Sequence, residues 1–153
     1  SGQFNFTIDA WISIDLGCIG CRDTVEFGQV FHNLEYNTTD DDPEPIVLEN
    51  DGNVFSDVRL NASPLWEDAS LDTTYFQFAA GNASELYSFN WSNSTTAWTN
   101  VAGSWRDVIK GLNYSNASDR AEVELKIRVP GNEPAGNKTT SLFFQARYSY
   151  NAS

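Results

Sequence analysis

Ten asparagines of this 153-residue chain stand two residues ahead of a Ser or Thr, the spacing at which a side-chain amide becomes an acceptor for glycosyl transfer. They are Asn5, Asn37, Asn61, Asn82, Asn90, Asn93, Asn113, Asn116, Asn137 and Asn151. With 15 Asn and 26 Ser or Thr among 153 residues, chance placement gives about 15 × 26/153, roughly 2.5 such triplets. An excess of about fourfold reads as a set of acceptors on exposed backbone. The chain is therefore expected outside the cell or on its surface. It contains no Met, which fits a secreted product whose signal peptide is already removed.

Other residues carry weaker chemical signals. Cys18-Ile19-Gly20-Cys21 has the spacing of a redox pair, half a zinc site or a small disulfide. A redox pair needs a βαβ setting and zinc needs four N or S ligands, whereas the chain offers two sulfurs and the single His32. A disulfide between Cys18 and Cys21, closing the turn, is the favoured reading. His32 has no nucleophile motif near it and reads as an ordinary strand residue. Asp40, Asp41 and Asp42, with Glu44, Glu49 and Asp51 nearby, form the densest acidic run, a weak candidate for calcium, and otherwise a solvated loop. No pair of carboxylates stands out among the 21 acids and no glycine-rich phosphate loop is present, so no catalytic residues and no cofactor are expected. Trp11, Trp66, Trp91, Trp98 and Trp105 suit either core packing or a sugar-stacking platform.

The formal charge of −12 excludes a nucleic-acid ligand, whose phosphates demand Lys and Arg, and disfavours anionic membrane surfaces. No apolar run reaches the ~18 residues that suggest a transmembrane helix. At 41% hydrophobic and 14% aromatic residues, the chain has the means to build a core of its own.

The elements that must position these residues alternate with period two. Phe4, Phe6, Ile8, Ala10, Ile12, Ile14 and Leu16 share one face, a run of about 43 Å at ~3.3 Å per residue. Shorter alternations follow at Val25–Phe31 with a bulge at Gly28, at Ile46–Leu48, Val54–Leu60, Phe76–Phe78, Tyr87–Trp91, Val123–Val129 and Leu142–Tyr150. Trp105, Val108, Ile109 and Leu112 have helical spacing and predict one short helix from about Ser104. The pattern is all-β, an antiparallel jelly-roll or immunoglobulin-like β-sandwich with an extended N-terminal strand (1–16), a sandwich domain (17–153) and at most one short helix.

Two stretches carry a family resemblance. Leu48-Glu49-Asn50-Asp51-Gly52-Asn53-Val54 leads into an alternating strand, and Val129-Pro130-Gly131-Asn132-Glu133-Pro134-Ala135-Gly136 joins two strands by an acidic Pro-Gly loop. Both resemble the jelly-roll subunits of archaeal thread and bundling-pilus filaments and their TasA-like relatives. The resemblance implies a glycosylated filament subunit that polymerises head to tail with copies of itself. In that scheme Phe4, Phe6, Ile8 and Ala10 form a donor strand that completes the sheet of the next subunit. Cys18-x-x-Cys21 departs from the family's pattern. The alternative is a cell-surface binding module, carbohydrate-binding or adhesive, that does not polymerise.

Overall fold

Strict alternation does what the sequence predicts in the middle of the chain. A computed structural model describes residues 13–16 and 24–150. Its strands are β1 (Ile14–Asp15), β2 (Glu35–Asn37), β3 (Ile46–Asn50), β4 (Ser56–Ala62), β5 (Phe76–Gly81), β6 (Thr99–Asn100), β7 (Arg106–Leu112), β8 (Arg120–Arg128) and β9 (Leu142–Tyr148). In β4, Ser56, Val58, Leu60 and Ala62 are buried while Asp57, Arg59 and Asn61 face outward. β8 repeats the device with Ala121, Val123, Leu125 and Ile127.

All pairings are antiparallel, and they make two sheets. The larger, sheet A, runs β1-β3-β8-β5-β6, with β2 also on β8. β3 takes the Arg120–Val123 half of β8, and β2 takes the Lys126–Arg128 half. Sheet B runs β7-β4-β9. Leu48, Phe78 and Val123 of sheet A meet Val58, Leu60 and Leu112 of sheet B in one buried apolar cluster. The result is an antiparallel β-sandwich whose only helical piece among the described residues is a 3₁₀ turn at Trp91–Asn93. No helix there is long and apolar enough to cross a membrane.

Three expectations need correction. The helix expected from about Ser104 is strand β7. Against β4, its register steps from Ser56↔Leu112 to Val58↔Ile109 and then to Arg59↔Asp107, so β7 carries an extra residue at each step. Gly111, at φ 66°, lies in the first irregularity. These two bulges bury Val108, Ile109 and Leu112 together and convert a period of two into an apparent period near 3.6. Val25–Phe31 is not a strand: Val25, Phe27 and Val30 pack on the core without a ladder. Tyr87–Trp91 is an irregular strap along the far edge of β7, where Asn113 N–H donates to Ser88 O at 2.7 Å and Asn90 N–H donates to Lys110 O at 2.8 Å.

Phe4, Phe6, Ile8 and Ala10, the Cys18–Cys21 pair, Trp11, Asn5 and Asn151 lie outside the described residues. Of the long N-terminal alternation, the described part is β1 with its neighbours Ser13 and Leu16.

Candidate functional site: a groove beside an open sheet edge

Sheet B has two edges. That of β7 is covered by the 88–95 strap, through the bonds above and Thr95 N–H to Val108 O at 2.9 Å. β9 differs: among the described residues it pairs only with β4. Its inward side chains stand opposite core residues, Leu142 against Ala62, Phe144 against Leu60 and Ala146 against Val58. The β4 partners are buried, whereas Leu142, Phe144 and Ala146 are only half-buried. A row of core-type side chains is therefore incompletely covered at an edge that also presents backbone N–H and C=O groups.

Next to that edge lies a groove of about 1000 Å³. Ile46, Phe76, Leu125 and Ile127 of sheet A, together with Trp66, form apolar lining on one side, while Leu142 and Phe144 of β9 line the other. Residues 24–30 and 136–141 complete its margins. Trp66 is fixed by its indole N–H, which donates to Tyr75 O at 3.0 Å.

The 130–141 loop is held by a buried carboxylate. Glu133 accepts from Glu67 N–H at 2.9 Å and Asp68 N–H at 2.8 Å, and Lys138 Nζ lies 2.9 Å from it. Burial pushes the Glu133 carboxyl up, but the two backbone N–H groups and the Lys138 ammonium outweigh it and hold its pKa below the usual value. Hydrogen bonds to Glu67 and Glu133 raise the Lys138 pKa in turn. His32 is not a strand residue. It sits in an exposed turn with Nε2 2.8 Å from Glu133 O, and so touches the same loop.

A second cluster lies on the outer face of sheet A. Glu122 and Glu124 are successive outward residues of β8, and Thr38 Oγ1–H donates to Glu124 Oε2. Burial, the Glu124 charge, a hydrogen bond to Glu124 and the Asp41 charge push Glu122 up to about 7. Burial also raises Glu124, against the opposing hydrogen bonds from Thr38 and Glu122. Asp40, Asp41 and Asp42 are exposed, and no group of three or more His, Cys, Asp or Glu side chains suited to a metal gathers among the described residues.

None of the eight described sequon asparagines is buried. Asn82, Asn93, Asn116 and Asn137 are exposed, and Asn37, Asn61, Asn90 and Asn113 are half-buried. Several shape their own turns: Asn37 Oδ1 accepts from Thr39 N–H at 3.0 Å, and Asn113 Oδ1 accepts from Ser115 N–H at 3.0 Å. The four described tryptophans scatter rather than form one platform. Trp66 is core, Trp91 stacks on Phe89 at 5.7 Å, Lys126 Nζ lies 4.9 Å from the Trp98 ring, and the Arg59 guanidinium lies 5.1 Å from the Trp105 ring.

The groove was missed at the sequence level, because an open edge is a property of the topology. Its local signal is the alternation of β9. Fold and site together define an antiparallel β-sandwich in which, among the described residues, the β9 edge of sheet B borders an apolar groove. No family model, curated protein or solved structure matches the chain.

Proposed function

We propose that the chain is a structural subunit of an extracellular, N-glycosylated filament, in which the N-terminal strand of one copy inserts beside β9 of the next. The observation that carries this reading is the half-buried inward row Leu142, Phe144 and Ala146 on an edge strand bordering an apolar groove. Phe4–Ala10 and β9 are each seven residues long, about 23 Å at ~3.3 Å per residue, so one can ladder the other along its whole length. Phe4, Phe6 and Ile8 would then occupy the groove, each burial contributing about 1.5–3 kcal/mol. The contact joins two different surfaces, so it propagates rather than closes. The sequons, none of them buried among the eight described, suit a hydrated fibre exterior. The family resemblance of residues 48–63 and 129–144 points the same way.

Negative-stain electron microscopy of the full chain beside a chain lacking residues 1–10 tests the proposal. Filaments from the first and monomers from the second are expected; monodisperse particles from both would overturn it. A non-polymerising, sugar-binding surface module is favoured by one observation, the exposed Trp91 ring stacked on the half-buried Phe89. That reading predicts glycan binding abolished by Trp91→Ala.

A further inference from the structure

The outer face of sheet B carries an apolar row that the groove does not use. Asn61, on the central strand β4, has Phe143 of β9 as its Cα partner, and Phe143 is 51% exposed. On the other side the ladder pairs Leu60 with Arg106, and Ala62 N–H then donates to Ala102 O at 3.1 Å. Residues 103–105 therefore form an excursion opposite Asn61. Trp105 belongs to it and is 39% exposed. Arg59 lies against the Trp105 ring and donates through Nε to Gln145 Oε1 at 2.6 Å, which ties β4 to β9 and to the residue just ahead of β7. Residues directly opposite in an antiparallel ladder stand about 4.5–5.5 Å apart. The Asn61 amide thus has the exposed Phe143 as its direct neighbour across the ladder, and the exposed Trp105 lies against Arg59, the preceding outward residue of β4.

A single exposed aromatic residue needs no explanation, but Phe143 stands directly opposite the acceptor amide of Asn61-Ala62-Ser63, with Trp105 beside the neighbouring outward residue Arg59. We propose that Asn61 is an occupied N-glycosylation site whose first sugar is seated on sheet B against Phe143 and Trp105. In the transfer, Asn61 Nδ2 bonds to the anomeric carbon of an oligosaccharide carried on an isoprenoid phosphate. The bond from that carbon to the carrier oxygen breaks, its electron pair leaves with the phosphate, and the amide proton passes to a base of the transferring enzyme. The apolar C–H face of the pyranose then covers ring surface otherwise left to water. In the folded domain the sequon hydroxyl is engaged: Ser63 Oγ lies 3.0 Å from Thr140 Oγ1 and accepts from Ser141 N–H at 3.1 Å. Transfer therefore precedes the docking of β9. Unlike the exposed sequons Asn82, Asn93, Asn116 and Asn137, Asn61 lies on the central strand of a sheet, one residue from its end, where a sugar has a surface to rest on.

The proposal is independent of strand donation and needs only that the chain meet a glycosylating machinery. The test compares the full chain secreted from a eukaryotic host, whose N-acetylglucosamine-initiated glycan is the probe, with the same chain made in bacteria that lack the transfer enzyme. Peptide mass spectrometry is expected to find Asn61 modified in the first. Phe143→Ala is expected to lower the thermal midpoint of the glycosylated chain by about 2–4 °C more than that of the bare chain. Asn61→Gln should abolish that difference. An unmodified Asn61, an equal cost of Phe143→Ala in both chains, or a difference that survives Asn61→Gln would overturn the proposal.

Discussion

Lys138 Nζ lies 2.8 Å from Glu67 Oε2 and 2.9 Å from Glu133 Oε1, joining the loop that lines one margin of the groove to the 66–68 segment. Glu133 is 4% exposed and its carboxylate also accepts the Glu67 and Asp68 N–H groups. Glu133→Ala leaves those donors unpaired and is expected to cost about 1–3 kcal/mol, read by urea denaturation. Because the folded pKa of Glu133 is depressed, its contribution is present above the unfolded carboxylate range. It is lost as pH falls through the lowered folded value.

Glu122 behaves in the opposite sense. Its folded pKa, about 7, lies above the ordinary glutamate value of 4.5, so the folded state binds the extra proton between those limits. Stability is then expected to fall as pH rises from 4.5 to 7. The groups facing this carboxyl are Glu124 on the same strand and Asp41 from the 38–45 loop. Solvent screening at this partly exposed site reduces the effect to about 1–2 kcal/mol. Thermal midpoints should be higher at pH 5 than at pH 8, and Glu122→Gln should flatten the slope. A midpoint that rises steadily across this window would contradict the assignment.

Gly111 sits in the first β7 bulge at φ 66°, and its N–H donates to Asp57 Oδ1 at 3.0 Å. Gly111→Ala forces a Cβ into left-handed backbone and is expected to cost about 1–2 kcal/mol in chemical denaturation. An unchanged midpoint would show that the bulge is not fixed by this glycine.

Asn50 is fully buried at the end of β3. Its Nδ2 donates to Val54 O at 2.8 Å and Leu112 O at 2.9 Å, while Oδ1 accepts Gly52 N–H at 3.0 Å. It fastens the turn that carries the chain from β3 of sheet A to β4 of sheet B onto the end of β7. Asn50→Ala is expected to destabilise by about 2–4 kcal/mol in urea, because several backbone groups lose their partners at once.

Much of this architecture is visible in the sequence wherever one face of a strand is buried and the other wet. β4 and β8 satisfy that condition along their whole length. β7 does not, because its bulges place Val108 beside Ile109 in the core and counterfeit a helical spacing. β2 and β6 are too short to establish a period. The stretch around Asn50 stood out as a resemblance and for its acids; its physical reason, a buried amide that joins a turn to β7, depends on a contact 62 residues away. The groove joins residues 24–30, β8 and β9, and no local pattern encodes which edge of sheet B the described residues leave uncovered.

The most direct test of strand donation mixes two defective chains. Phe6→Asp disables the donor, and Phe144→Asp disables the groove; each variant alone should be folded by circular dichroism and monomeric in sedimentation. Combined in equal amounts, they retain one intact donor and one intact groove, so head-to-tail donation predicts dimers and nothing longer. Filaments from either variant alone, or a mixture that stays monomeric while the unmodified chain polymerises, would contradict it.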